Sequence, residues 1–130
     1  MPITYTIDRE AGIAESVWTG DVSAGDLAEF WSRFLADPEV LAIRKNLADL
    51  RQGNITFSGA ELSVLIQTIV VPALKGRTWT SALLVAHAVH FGVSRQYHVF
   101  AERFSTDAIF YDRDAARAWL MQQGAPARDR

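Results

Sequence analysis

The chain has 130 residues, a formal net charge of −2, and 49% hydrophobic against 22% charged residues, a globular composition that excludes disorder and suits one buried core. The absence of cysteine excludes a disulfide framework, a thiol nucleophile and a cysteine zinc site, and the mild acidity lacks the basic footprint of a nucleic-acid or anionic-membrane binder. No apolar run approaches the roughly 20 residues of a membrane span, and the first residues show no signal-peptide pattern, so a cytoplasmic protein is expected.

The opening alternates, with Ile3, Tyr5 and Ile7 on one face and Thr4, Thr6 and Asp8 on the other, which predicts a half-exposed strand. A turn at 9–12 ending in Gly12 joins it to a second strand over 13–19, stopped by Gly20; two short strands so joined should be antiparallel. Ser23 with Asp26 then forms a capping box, and Leu27, Phe30, Trp31, Phe34 and Leu35 recur at helical spacing. Asp37-Pro38 stops this first helix. A short turn at Val40-Leu41 leads to a third strand over 45–50, followed by a polar loop over 51–57.

A second capping box, Ser58 with Glu61, opens a long second helix to Lys75, stopped by Gly76. Pro72 falls inside its last turn and should kink or shorten it. The unbroken apolar run 81–86 predicts a central strand covered on both faces. A third helix over 89–104 carries Val93, Tyr97, Phe100 and Phe104 as its core stripe, and a fifth strand follows at 108–111. Asp112 caps a last helix through Trp119 and Leu120, which Gly124 ends. The expected architecture is an α/β domain over 1–124 with a frayed tail at 125–130. Its five-stranded, mostly parallel sheet has an antiparallel N-terminal strand and is flanked by four helices on both faces.

Four segments in this order carry a family resemblance: the strand-turn-strand start, Leu47-Ala48-Asp49-Leu50, Phe91-Gly92-Val93-Ser94-Arg95, and Ile109-Phe110-Tyr111-Asp112 followed by Ala115, Ala116, Trp119 and Leu120. Together they resemble the bacterial SpoIIAA-like family over residues 3–122. The resemblance implies a fold like that of the STAS anti-sigma-factor antagonists, with distant likeness to lipid-binding CRAL-TRIO domains, and no fixed activity. In STAS antagonists a regulated serine opens the helix after the third strand, within an Asp-Ser-Ser-Gly type sequence. Here eight residues separate Asp49 from Ser58-Gly59, so the contiguous motif is absent. Ser58 is a possible phosphorylation site and otherwise an ordinary helix cap.

Ligands of open α/β sheets sit beyond the carboxyl ends of the parallel strands. That rule points to Gly20, Asp21, Asp49, Arg51 and His87, with a helix N-terminus at Ser58 suited to an anion. His87, Phe91, Arg95 and His98 share one helical face, expected to be half-exposed. Arg95 could clamp a carboxylate or phosphate, or pair with Asp49, Glu102 or a neighbouring subunit. His87 and His90 lack the glutamate of a zincin helix, and no metal or cofactor is implied. Gly92-Val93-Ser94-Arg95-Gln96 holds only half of a nucleophile elbow.

The second helix is apolar nearly all round. Leu62, Leu65, Ile66, Ile69 and Ala73 form one stripe and Val64, Val71 and Leu74 another, which points to a subunit interface, an apolar pocket wall or a deeply buried helix. The reading that follows is a non-enzymatic binding or regulatory domain, expected to be a homodimer. It would dock a protein partner or a small apolar or amphipathic ligand near the carboxyl ends of the strands, with Asp49, Arg51, His87, Phe91 and Arg95 as ligand-binding residues; such a ligand would lie between the second and third helices, Arg95 holding any acidic head group. The alternative is a small hydrolase or lyase using Asp49, His87 and Arg95.

Overall fold

The computed structural model describes residues 2–123; the helix stop expected at Gly124 and the frayed tail expected at 125–130 lie outside the described residues. β1 (Ile3–Asp8) and β2 (Ile13–Val22) form the expected antiparallel hairpin. Asp8 closes its turn: the backbone carbonyl accepts the Gly12 N–H at 2.9 Å and the carboxylate accepts the Ala11 N–H at 3.0 Å. Gly12 sits at φ +70°, a conformation that only glycine adopts without strain.

The segments specified by local chemistry form as expected. Ser23 and Asp26 make both bonds of the capping box that opens α1 (Ala24–Phe34), and Leu27, Phe30 and Phe34 are its buried stripe. Asp112 accepts the Ala115 N–H at 2.9 Å and so starts α6 (Arg113–Gln122). The turn expected at Val40-Leu41 is instead a helix, α2 (Pro38–Ile43). Asp37 accepts the Glu39 N–H at 2.9 Å, Pro38 occupies a first-turn position where no donor is lost, and Arg44 ends the helix at φ +57°. Tyr5 donates to the other Asp37 oxygen at 2.7 Å, and these bonds hold that carboxyl below its ordinary range.

Two corrections concern strand length. β3 runs Lys45–Ile55, so most of the polar loop expected over 51–57 is strand, and β2 continues past Gly20 to Val22. The two strands pair in parallel through Val17↔Asp49, shift register at a bulge, and resume at Thr19↔Gln52 as far as Val22↔Ile55. Glycine makes this extension possible, because Gly20 takes φ +65° and Gly53 lies so close to Trp18 that a side chain would collide with it. Smaller shifts follow in β4 (Trp79–Leu84), α5 (Ala88–Ala101) and β5 (Ser105–Phe110).

The second helix is broken into α3 (Gly59–Leu65), a wide π-type turn (Ile66–Val70) and α4 (Val71–Leu74). Its buried residues are Leu62, Ile66, Val70 and Leu74, four apart each time. On a regular helix that spacing drifts by about 40° per step; the wide turn restores one line facing the core. It also ends two residues before Pro72, whose missing N–H breaks the regular bonding pattern.

The sheet order is β1-β2-β3-β4-β5, with β1 antiparallel and the others parallel, so β4 is the interior strand that its apolar run predicts. One face packs on α1, α3, the wide turn and α5. Its aromatic centre is Phe34, stacked on Phe30 at 4.9 Å and edge-on to Tyr5 at 4.9 Å and Trp79 at 6.1 Å. The other face is covered by α6, whose Ala116 and Leu120 meet Ile13, Leu47, Ala82 and Leu84.

Gly53→Ala tests the β2–β3 extension. The added Cβ would lie 3.0 Å from Trp18 Cβ. Overpacking of about 1–3 kcal/mol exceeds the roughly 0.4–1 kcal/mol that alanine contributes by restricting the unfolded chain. The urea midpoint should fall. Gly25→Ala, whose Cβ meets nothing nearer than 3.7 Å inside α1, should leave it level or raise it.

Candidate functional site

Asp49 and Arg51 are two apart on β3 and therefore share a face, the one that Leu47 presents to α6. The Asp49 carboxylate is nearly inaccessible. It accepts three bonds from Arg51: the backbone N–H at 3.1 Å and the guanidinium Nε and Nη2 at 3.0 Å each. The pair binds itself.

Ser58, on the opposite side of the sheet, is an exposed cap whose hydroxyl accepts the Glu61 N–H at 3.1 Å while its own N–H donates to Glu61 at 2.9 Å. An added Cβ at Gly59 would lie 2.6 Å from Gln96 Nε2, so α5 sits against the first turn of α3.

Of the three histidines, His87 and His98 are exposed, as are Arg95 and, in part, Phe91, whereas His90 lies off the face these residues share. His90 is fully buried: Nδ1 accepts the Ala86 N–H at 3.1 Å and Nε2 lies 2.7 Å from the Gly53 carbonyl. A carbonyl can only accept, so the ring is the neutral tautomer with its proton on Nε2, and neither nitrogen is left for a metal. It ties the far end of β3 to the start of α5. His87 is exposed and stacks on His90 at 3.7 Å between ring centroids. Among the described residues no three metal-ligating side chains gather.

Phe91 and Arg95 line a surface hollow of about 350 Å³ with His98 of α5 and Asp107, Ala108 and Ile109 of β5. The Arg95 guanidinium lies 6.0 Å from the Phe91 ring centroid, and among the described residues it makes no ion pair with Asp49 or Glu102. At the floor the Asp107 side chain is only 1% exposed. One oxygen accepts the Ser105 hydroxyl at 2.5 Å; the other stands 3.4 Å from His98 Nδ1 without a formed hydrogen bond. Burial raises the Asp107 pKa, and Ser105 and His98 only partly offset it. Thus Phe91 and Arg95 stand together, His87 caps the same helix, and Asp49 and Arg51 belong to the other face of the sheet.

The helix-covered face also encloses a cavity of about 50 Å³ between α1, α3, the wide turn, α5 and the sheet. Trp18, Phe30, Trp31, Phe34 and Trp79 contribute aromatic walls. Three lining residues carry buried polar atoms with no protein partner: Trp18 Nε1, Asn46 Oδ1 and Ser94 Oγ. Beyond Asn46 the strand register continues a polar row, Asn46↔Ser81↔Asp107, across β3, β4 and β5 under α5. The Tyr97 hydroxyl lies beside Ser81 and Ser105, and burial together with Asp107 raises its pKa. The sequence reading missed these residues. Their one visible signal is a polar side chain at an inward position of a mainly apolar strand, as at Ser81.

This chain, with its β1-β2-β3-β4-β5 sheet and its uneven helix layers, is similar to an uncharacterised protein of the DUF3478 family from Shewanella loihica. The match has a TM-score of 0.64 and 17% sequence identity, covering 91% of this chain and 93% of that one. That protein is described as having a SpoIIAA-like fold. The present chain has the same SpoIIAA-like fold. No protein-family model matches it, and no curated protein does. Among the described residues of this SpoIIAA-like domain, no helix is long and apolar enough to cross a membrane.

The buried Asp107 gives a pH-dependent test. Its folded pKa is raised, so the charged form is disfavoured by folding above that pKa. The penalty disappears as pH falls through the folded value towards the unfolded one, where both states are protonated. Asp107→Asn should therefore raise the melting temperature at pH 7–8, with the gain shrinking towards pH 4. Thermal melts across that range check it; a constant difference at all pH values would assign the effect to packing.

Proposed function

We propose that this SpoIIAA-like domain is a non-enzymatic binding module that holds a small, mainly apolar ligand in the cavity between its helix layer and its sheet. The observation that carries the reading is the aromatic-walled cavity with three unpartnered polar atoms. Buried polar groups are ordinarily satisfied, and small-molecule sites are apolar enclosures with a few placed polar groups. Trp31 and Tyr97, both half-buried with ring centroids 6.3 Å apart, form the part of the wall nearest the surface. A ligand would enter there, between α1 and α5.

In this reading Arg95 and Phe91 belong to the outer hollow, separate from the interior ligand. The hydrolase or lyase alternative finds no support, because Arg51 occupies the Asp49 carboxylate on the α6 face. The stripe expected to build a homodimer is mostly used within the protomer: Leu74 is buried, Val71 is half-buried, and Val64 is the exposed member. Within this stripe, self-association would rest on Val64.

Trp18, Trp31 and Trp79 all line the cavity, so tryptophan fluorescence reports directly on occupancy. Titration with a panel of small aromatic fragments should give saturable changes for some members. Val93→Phe, which fills the lining from α5, should weaken them at least about tenfold while the circular dichroism spectrum is unchanged. A panel without a single saturable response removes the reading.

A further inference from the structure

We propose that the amino-terminal ends of β4 and β5 carry a second, independent site, a hollow that takes a small carboxylate borne on a single apolar ring. The hollow has a volume of about 190 Å³. Its wall includes Val71 and Leu74 of α4, Arg77 and Thr78 from the turn into β4, and Arg103 and Phe104 ahead of β5. It shares no residue with the interior cavity. It also lies at the opposite end of the strands from the carboxyl ends where ligands of such sheets ordinarily bind.

The backbone brings the two arginine-bearing turns together. Lys75 and Gly76 take left-handed conformations, at φ +51° and +82°, and reverse the chain after α4. The Arg77 N–H then donates to the Leu74 carbonyl at 2.9 Å, and Arg77 Nη1 donates to the same oxygen at 3.3 Å. The guanidinium is thereby held against the end of α4. Two residues on, the Trp79 N–H donates to the Phe104 carbonyl at 2.8 Å, and Trp79 pairs with Ser105 in the sheet. The segments that carry Arg77 and Arg103 are therefore neighbours.

Charge selects the head group. No acidic residue lines the hollow, and among the described residues neither arginine makes an ion pair. Glu102, next to Arg103 in the chain, is exposed and outside the lining. Two cations beside one hollow, with no counter-charge in its wall, attract an anion, and the guanidinium fork matches a carboxylate. The apolar wall selects what carries it. Leu74 is buried, and Val71 and Phe104 are half-buried. They offer carbon surface that a ring covers and an inorganic anion leaves bare. A cavity of about 150 Å³ accommodates benzene, so the volume suits one ring.

Benzoate, benzamide and inorganic phosphate make the test, at pH 7 and low salt. Methyl NMR spectra follow Val71 and Leu74 in the hollow, with Leu27 and Val93 reporting on the interior cavity. Benzoate should shift Val71 and Leu74 saturably, leave Leu27 and Val93 in place, and bind at least about tenfold more tightly than benzamide or phosphate. Arg77→Gln, or Arg77→Lys if the larger change disturbs folding, should weaken benzoate at least about fivefold without affecting benzamide. Arg103→Gln, at an exposed position, should weaken it about threefold. Equal binding of benzamide and benzoate, or variants that leave benzoate affinity unchanged, overturns the role of the arginines. Phosphate binding within about threefold of benzoate overturns the selection for an apolar body. If benzoate moves neither Val71 nor Leu74, or moves only Leu27 and Val93, the hollow is not a carboxylate site, and the reading of the interior cavity is judged separately by its own fragments.

Discussion

From β2 onward each strand is added on the same side of the last, and every connection is parallel. A right-handed crossover that always steps in one direction must leave its helices on one face of the sheet. That handedness determines the layering. Three crossovers pack α1, α3 with its wide turn, and α5 side by side over the aromatic strands, and only α6, after the last strand, is free to return across the back. A thick layer of large rings on one side and a thin, single-helix cover on the other follow from it.

The thick layer is where packing falls short of completeness. Aromatic rings contributed by α1, β2 and β4 line a cavity whose wall also includes Asn46 and Ser94. The polar row below α5 adds a chemical discontinuity to the geometric one. Asn46, Ser81 and Asp107 stand in register on neighbouring strands, each with a buried atom that lacks a partner. A domain selected for stability alone would favour apolar groups there.

What could be read in the sequence was local. Both serine capping boxes, the aspartate cap of α6, the hairpin turn and the interior position of β4 depend on residues within a few positions of one another, and they hold. The β2–β3 extension was not legible, because it depends on a bulge and on two glycines that meet only after the strands align. His90 carried no local sign of its bond to Gly53, 37 positions away. For the proposed site, the apolar second and third helices pointed to the layer that holds the cavity. The placing of Arg95 outside it depends on the rotation of α5, which half-buried Val93 and Tyr97 leave poorly determined.

The back of the sheet has a consequence of its own. α6 holds to it through a small apolar cluster and through Arg113 and Arg117, which reach Glu15 and Asp8 on the β1–β2 hairpin. The ionic part of this attachment is partly solvent-exposed and is therefore weakened by salt, whereas the apolar cluster beneath it is not. Ile13, Leu47, Ala82 and Leu84 share this one cover, and the aromatic layer on the front makes no use of it. The back of the domain is thus a single-helix cover over an apolar strip that runs across three strands, β2, β3 and β4.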